Sequence, residues 1–184
     1  MTAFLYSVTA SADGYIAGPG GDMSWLLEFL GEEPNPIFEL IGQRITALLI
    51  GRTTFDGDDP NAGDPEKEGA FEGQWDGPQV LLTHRPVDSP PADLIVRHSF
   101  DEAVDAARGA AGPDGLVNII GADIARQCLE AGLLDEVIIS TVPIFLGTGT
   151  PLLSGAGSYG LEMIDEASNK SPRGAHTRHY RVLR

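Results

Sequence analysis

Two apolar runs, each cut off by a glycine, constrain this chain most. Residues 45–50 (Ile-Thr-Ala-Leu-Leu-Ile) stop at Gly51, and residues 116–120 (Leu-Val-Asn-Ile-Ile) stop at Gly121. Runs this apolar, without alternation, suit strands buried on both faces, as in a parallel sheet covered by helices on each side. The surrounding pattern agrees. Strands are expected over 4–10, 79–83, 94–98 and 137–141, with helices over 37–43, 101–111 and 123–131. Alternation of this kind predicts an α/β fold of three layers: a mixed, mostly parallel sheet flanked by helices. Residues 161–166 and 176–183 read as a terminal strand pair that makes one edge antiparallel. The length and an apolar fraction of 42% are those of a single domain over 1–184.

Local signals place the connections. Ser11-Ala12-Asp13-Gly14 is a turn before a short extended piece, 15–17, and residues 18–22 form a Gly-rich loop. Ser24 is the expected N-cap of a short helix through Leu30. Pro34-Asn35-Pro36 opens the next helix, with Pro36 in its first turn. Residues 56–78 are acidic and rich in Gly and Pro, a long surface insertion. Ser99 or Asp101 caps the helix over 101–111, and Gly132 closes the one over 123–131.

Composition narrows the function. A net charge of -15 disfavours nucleic acid as partner. One stretch departs from it, since Arg173, His176, Arg178, His179, Arg181 and Arg184 crowd the C-terminus and read as an anion-neutralising patch or a solvated strand face. The first ten residues lack a basic leader, and no apolar run approaches the ~18 residues of a membrane span. Cys128 is the only cysteine, fits a reducing cytoplasm, and reads as a buried structural thiol.

In open α/β sheets ligands bind beyond the carboxyl ends of the strands. Gly51 lets backbone approach a ligand closely, and Arg52, Thr53 and Thr54 add a cation and two hydroxyls at a helix start. The alternative is an ordinary turn with Thr53 as N-cap. Gly121 repeats the arrangement before Ala122, Asp123 and Ile124. There Asp123, as the cap, would occupy a backbone N–H and repel phosphate. Thr83-His84-Arg85 ends the strand over 79–83 and offers a basic pair. No G-x-G-x-x-G, P-loop, zinc-ligand spacing or G-x-S-x-G elbow occurs, and Ser154-Gly155-Ala156-Gly157 imitates the last only superficially.

Taken in order, these segments resemble the dihydrofolate reductase superfamily. The most similar branch is the one containing the reductase domain of bacterial riboflavin biosynthesis, the RibD C-terminal domain. The resemblance rests on residues 11–18, Trp25, residues 49–55, 80–83, 118–122 and 132–137, and on Pro143-Ile144-Phe145-Leu146-Gly147-Thr148-Gly149. It implies NADPH as cofactor and hydride transfer to a small substrate (a pteridine, a pyrimidine or a carbonyl compound). It implies that Gly51, Arg52, Thr53 and Thr54 hold the cofactor phosphates, and that Thr83, His84 and Arg85 flank the adenosine 2′-phosphate. Gly121, Ala122, Asp123 and Ile124 would underlie the nicotinamide and pyrophosphate, with Ala10, Ile16, Leu82 and Ile120 as further cofactor contacts. Residues 13–25 match a loop that closes over the site. Asp13, Trp25 and Glu28 are the candidate catalytic residues, with Asp13, Glu28 or water delivering the proton. The alternative is a catalytically silent NADPH-binding module of the same fold. No metal is expected, and a homodimer through residues 176–183 is.

Overall fold

The computed structural model describes residues 1–29, 35–57, 69, 73, 75–155, 157–168 and 174–184. The central strand is Ala3–Ser11 (β1). It runs parallel to Leu116–Ile120 (β6) on one side and to Glu136–Val142 (β7) on the other, so that Leu5 stands opposite both Asn118 and Glu136. Beyond β6 come Ile45–Gly51 (β3), Gln79–Leu82 (β4) and Leu94–Arg97 (β5), all parallel. Beyond β7 come His176–Leu183 (β10) and Gly160–Ser168 (β9), each antiparallel to its neighbour. The sheet order is β5-β4-β3-β6-β1-β7-β10-β9. This is the mixed, mostly parallel arrangement that the alternation of apolar runs predicts, with the antiparallel edge at the terminal pair.

Side chains alternate across a strand, so neighbouring residues serve different cores. Phe4, Tyr6, Ala47, Leu49, Val117 and Ile119 face Phe100–Ala111 (α3) and Ala122–Glu130 (α4). Leu5, Leu48, Leu116 and Ile138 face Ile37 and Ile41 of Pro36–Gly42 (α1). Leu48 and Leu49 are both fully buried although they point in opposite directions. That explains the lack of polar alternation in β3, where each such side chain contributes about 1.5–3 kcal/mol. Cys128 is fully buried on α4, and burial pushes its thiol up to about 12, so it stays protonated and inert.

The helix ends correct one expectation and decide another between its two candidates. Ser24 is the first residue of the 3-10 helix Ser24–Glu28 rather than its cap, because the Asp22 carboxylate accepts from Ser24 N–H at 2.9 Å. Ser99, not Asp101, caps α3 by accepting from Glu102 N–H. Asn35 caps α1 through Ile37 N–H and also donates to Thr177 on β10 at 2.7 Å, tying the helix to the sheet. One pairing had no signal: Thr150–Pro151 (β8) pairs with Tyr15–Ala17 (β2), joining the loop after β1 to the loop after β7. Leu30, Ala156, Arg173 and most of residues 56–78 lie outside the described residues.

Candidate functional site

The chain leaves β3 and β6 in opposite directions. From β3 it passes through Arg52–Phe55 (α2) outward to β4, and from β6 through α4 across β1 to β7. Adjacent parallel strands that diverge in this way open a crevice at their carboxyl ends. Gly51 and Gly121 lie side by side at its floor, one residue beyond the paired Ile50 and Ile120. A Cβ on Gly121 would stand 3.1 Å from Thr54 Oγ1 and 3.7 Å from Gly51 N, and φ at Gly121 is +124°. A side chain there would be strained and crowded. A Cβ on Gly51 would meet Ile124 Cδ1 at 3.5 Å, an ordinary contact. Thr54 Oγ1 donates across the junction to Ile120 O at 3.5 Å.

Both helices are capped by these glycines, with no side chain in the capping role. Thr53 is therefore not the cap of α2 and stays exposed. Asp123 is not the cap of α4 either. Its carboxylate accepts from Arg126 Nη2 at 2.7 Å and Gln127 Nε2 at 2.9 Å, one turn further on, while Arg126 also holds Glu130. The first ladder bond of α4 runs from Ala125 N–H to Gly121 O at 3.1 Å. The N–H groups of Ala122, Asp123 and Ile124 precede it and are left to whatever enters the crevice. Asp123 thus leaves the first-turn N–H groups without a side-chain cap, and Arg126 partly offsets its charge.

The end of β4 carries positive charge. Arg52 donates through Nε to Asp56 at 2.7 Å and through Nη1 to Thr83 Oγ1 at 3.3 Å and Pro86 O at 3.0 Å. Arg85 donates to the other oxygen of Asp56 at 2.9 Å. Two guanidiniums share one carboxylate, and they hold Asp56 below the usual carboxylate range. Thr83 is buried, with its hydroxyl used by the Arg52 and Arg85 bonds, whereas His84 and Arg85 are exposed. The basic C-terminal strand behaves differently: His179 meets Glu136 at 2.8 Å, Arg181 meets Glu162 at 2.7 Å and Arg184 meets Asp135 at 2.6 Å. With His176 also 3.6 Å from Glu166, four of the six basic residues of this stretch meet acids of β7, β9 and the turn before β7.

Asp13 lies at the end of β1, where its carboxylate accepts from Ser11 Oγ at 2.6 Å, Leu146 N–H at 3.1 Å and Gly147 N–H at 2.7 Å. Hydrogen bonds from Ser11 first, and then from the two backbone N–H groups, lower its pKa. An ionised carboxylate with three donors is an anchor between the loops after β1 and β7, unsuited to deliver a proton at neutral pH. Trp25 is buried, and its indole N–H has no partner among the described residues. Glu28 is exposed on the same 3-10 helix. Of the remaining cofactor candidates, Ala10 and Leu82 are buried at strand ends, while Ile16 and Ile120 are half-buried. Two surface hollows, of about 210 Å³ beside Leu134 and Val182 and about 630 Å³ between α1 and β9, are lined by none of these residues.

A group of polar residues escaped the sequence reading. On the α1 face, Ser7 Oγ donates to Asn118 Oδ1 at 2.8 Å, and Ser140 meets Thr177 at 2.8 Å. Asn118, Ser140 and Thr177 are all buried. The available signal was a polar residue inside an apolar run, as Asn118 is in Leu-Val-Asn-Ile-Ile.

Comparison with known proteins places this geometry. The family model of the RibD C-terminal domain matches residues 4–177. A Bacillus subtilis (strain 168) protein, YwjB, described as uncharacterized, is 26% identical over 145 residues, covering 79% of each chain. A solved structure of a Shewanella sp. PV-4 protein proposed to act in riboflavin biosynthesis superposes with a TM-score of 0.71 at 24% identity, over 99% of both chains. Dihydrofolate reductase from Enterococcus faecalis, in complex with NADP(H) and RAB-propyl, superposes with a TM-score of 0.66 at 18% identity, covering 99% of this chain and 97% of that one. No helix among the described residues is long and apolar enough to cross a membrane.

Two outcomes follow from the geometry. Gly121→Ala is expected to destabilise the fold by about 1–3 kcal/mol through its positive φ, whereas Gly51→Ala, with φ -85° and only ordinary contacts, leaves the urea midpoint within about 0.5 kcal/mol of the parent. Asp13 has a depressed pKa in the folded state, so its stabilising effect is complete above the unfolded value of about 3.9 and is lost as pH falls through the folded one. The stability gap between the parent and Asp13→Asn should therefore be constant from pH 7 down to about pH 4 and close below it. Urea unfolding across that range reads it, and a gap that persists at the acid end would sink the anchor role.

Proposed function

The chain belongs to the RibD C-terminal domain family, and from that premise we propose that it is an NADPH-dependent reductase, passing hydride to a small ring or carbonyl compound. The observation that carries this reading is the close approach of Gly51 and Gly121 at the divergence of β3 and β6. A cradle that a Cβ would fill, unladdered N–H groups at the start of α4, and a net positive corner at Arg52, Arg85 and Asp56 fit a dinucleotide phosphate chain. The Enterococcus faecalis dihydrofolate reductase of the same fold is complexed with NADP(H).

When bound, NADPH supplies the hydride, and the protein's share is orientation and exclusion of water. In this reading the N–H groups of Ala122, Asp123 and Ile124 hold phosphate, and exposed Arg85 and His84 meet a 2′-phosphate. Asp13 fixes the two loops that flank the β1 end. Because Asp13 is ionised and committed, water is the proton source. Trp25 keeps one buried donor for a ligand acceptor. The whole chain acts as one domain, in the cytoplasm. It works as a homodimer joined at the β9–β10 end, a reading supported by Leu161 and Met163, which are about half exposed on β9; light scattering would give the mass of the assembly.

The test is binding. NADPH at a hundred times its Kd should stabilise the protein by about 2.7 kcal/mol, seen as a rise in Tm, and Gly51→Ala should reduce that rise while leaving the unliganded Tm unchanged. If NADPH gives no rise and does not quench tryptophan fluorescence, the reading fails.

A further inference from the structure

We propose that Asp56 sets the cofactor preference of this chain: its carboxylate is a resident anion between Arg52 and Arg85, and it holds down the advantage of a 2′-phosphate at that corner. The proposal rests on the reductase reading above. Gly51 of β3 and Leu82 of β4 stand opposite each other, so Arg52 and Thr83 leave the sheet side by side. Asp56, one helical turn after Arg52, meets both cations. Its Oδ1 accepts from Arg52 Nε at 2.7 Å, and its Oδ2 accepts from Arg85 Nη2 at 2.9 Å. Each oxygen takes one guanidinium, as two oxygens of a phosphate monoester can.

The arginines have other supports. Arg52 Nη1 donates to Thr83 Oγ1 at 3.3 Å and to Pro86 O at 3.0 Å, and its guanidinium lies 6.0 Å from the centre of the Phe55 ring. Arg85 is fixed at its backbone, where its N–H donates to Thr83 Oγ1 at 3.1 Å. What Asp56 adds to this corner is charge. Among the described residues no other carboxylate pairs with either guanidinium. Arg52, Arg85 and Asp56 together carry one net positive charge, whereas a phosphate monoester is close to a dianion at neutral pH.

The side chain of Arg85 is 66% exposed and that of Asp56 is 37% exposed, so a ligand reaches both. A phosphate entering here has two courses. It binds the outer edge of Arg85 and stands beside the carboxylate, or it displaces the carboxylate from the arginines. The first course brings like charges together, and the second breaks two charge-assisted bonds. Either way the phosphate binds less tightly than the two arginines alone would hold it. A 2′-hydroxyl meets neither penalty. It is uncharged, and a carboxylate is an acceptor suited to it. The corner thus combines donors for the phosphate of NADPH with an acid that favours the hydroxyl of NADH.

Asp56→Asn tests this, because it keeps the size and one acceptor oxygen and removes the charge. Titrations with NADPH and NADH, read by tryptophan fluorescence at low salt, give the ratio of the two dissociation constants. In Asp56→Asn the preference for NADPH should rise about tenfold, the effect of one unit charge removed from beside a phosphate, and the gain should shrink as salt is added. Asp56→Glu, which keeps the charge, should keep the parent ratio. The unliganded Tm of each variant checks the fold, and a ratio taken on one preparation is insensitive to the fraction folded. An unchanged ratio in Asp56→Asn, an equal rise in Asp56→Glu, or weaker NADPH binding in Asp56→Asn, which would make the acid a support for the arginines, overturns the proposal. So does a parent that binds NADPH but shows no NADH binding at millimolar concentration. The Tm rise of the parent with NADPH keeps two failures apart: its absence defeats the reductase reading and this proposal with it, whereas its presence with an unmoved ratio defeats only the role of Asp56.

Discussion

The close approach of Gly51 and Gly121 is the contact on which the rest of the site depends. β3 and β6 are neighbours in the sheet, so the helices that follow them begin side by side. The two helix starts share so small a space because Gly121 carries no side chain there. At Gly121 the positive φ and the nearby Thr54 exclude other residues, whereas at Gly51 a Cβ would make only ordinary contact with Ile124. With both positions reduced to backbone, the unladdered N–H groups of α4 and the positive end of β4 open onto one crevice.

Around that crevice the acids are each committed to donors. Asp56 is shared by two arginines, Asp123 is turned along its helix to Arg126 and Gln127, and Asp13 is pinned by Ser11 and two backbone N–H groups. A chain of net charge -15 can therefore present a positive corner, because local pairing rather than the total sets the field at short range. The same pairing removes Asp13 from acid catalysis.

The strands were legible because hydrophobic period is a local property. β3 and β6 are buried on both faces, and their apolar runs record it directly. The strand 15–17 and the helix over residues 101–111 also stood out by their flanking turns and glycines. Caps were less legible. Ser24 and Asp123 both have the chemistry of a cap, yet Asp22 serves the first turn better and Arg126 draws Asp123 away. The residue type was right and the competition between partners was invisible. β8 was missed because a two-residue strand has no period, and it exists only because β2 lies beside it.

The amino-acid sequence by itself determined the layered α/β fold, the two glycine-ended strands and the order of motifs that marks the family, since each of these depends on near neighbours in the chain. Tertiary structure alone decided that Gly51 and Gly121 meet, although 69 residues of chain lie between them, that Asp13 bonds residues 146 and 147, and that Ser7 orients Asn118. These contacts join residues far apart in sequence, and their partners are settled by sheet order. That order places β6 between β1 and β3, and so brings one polar side chain from each of β1 and β6 together on the α1 face.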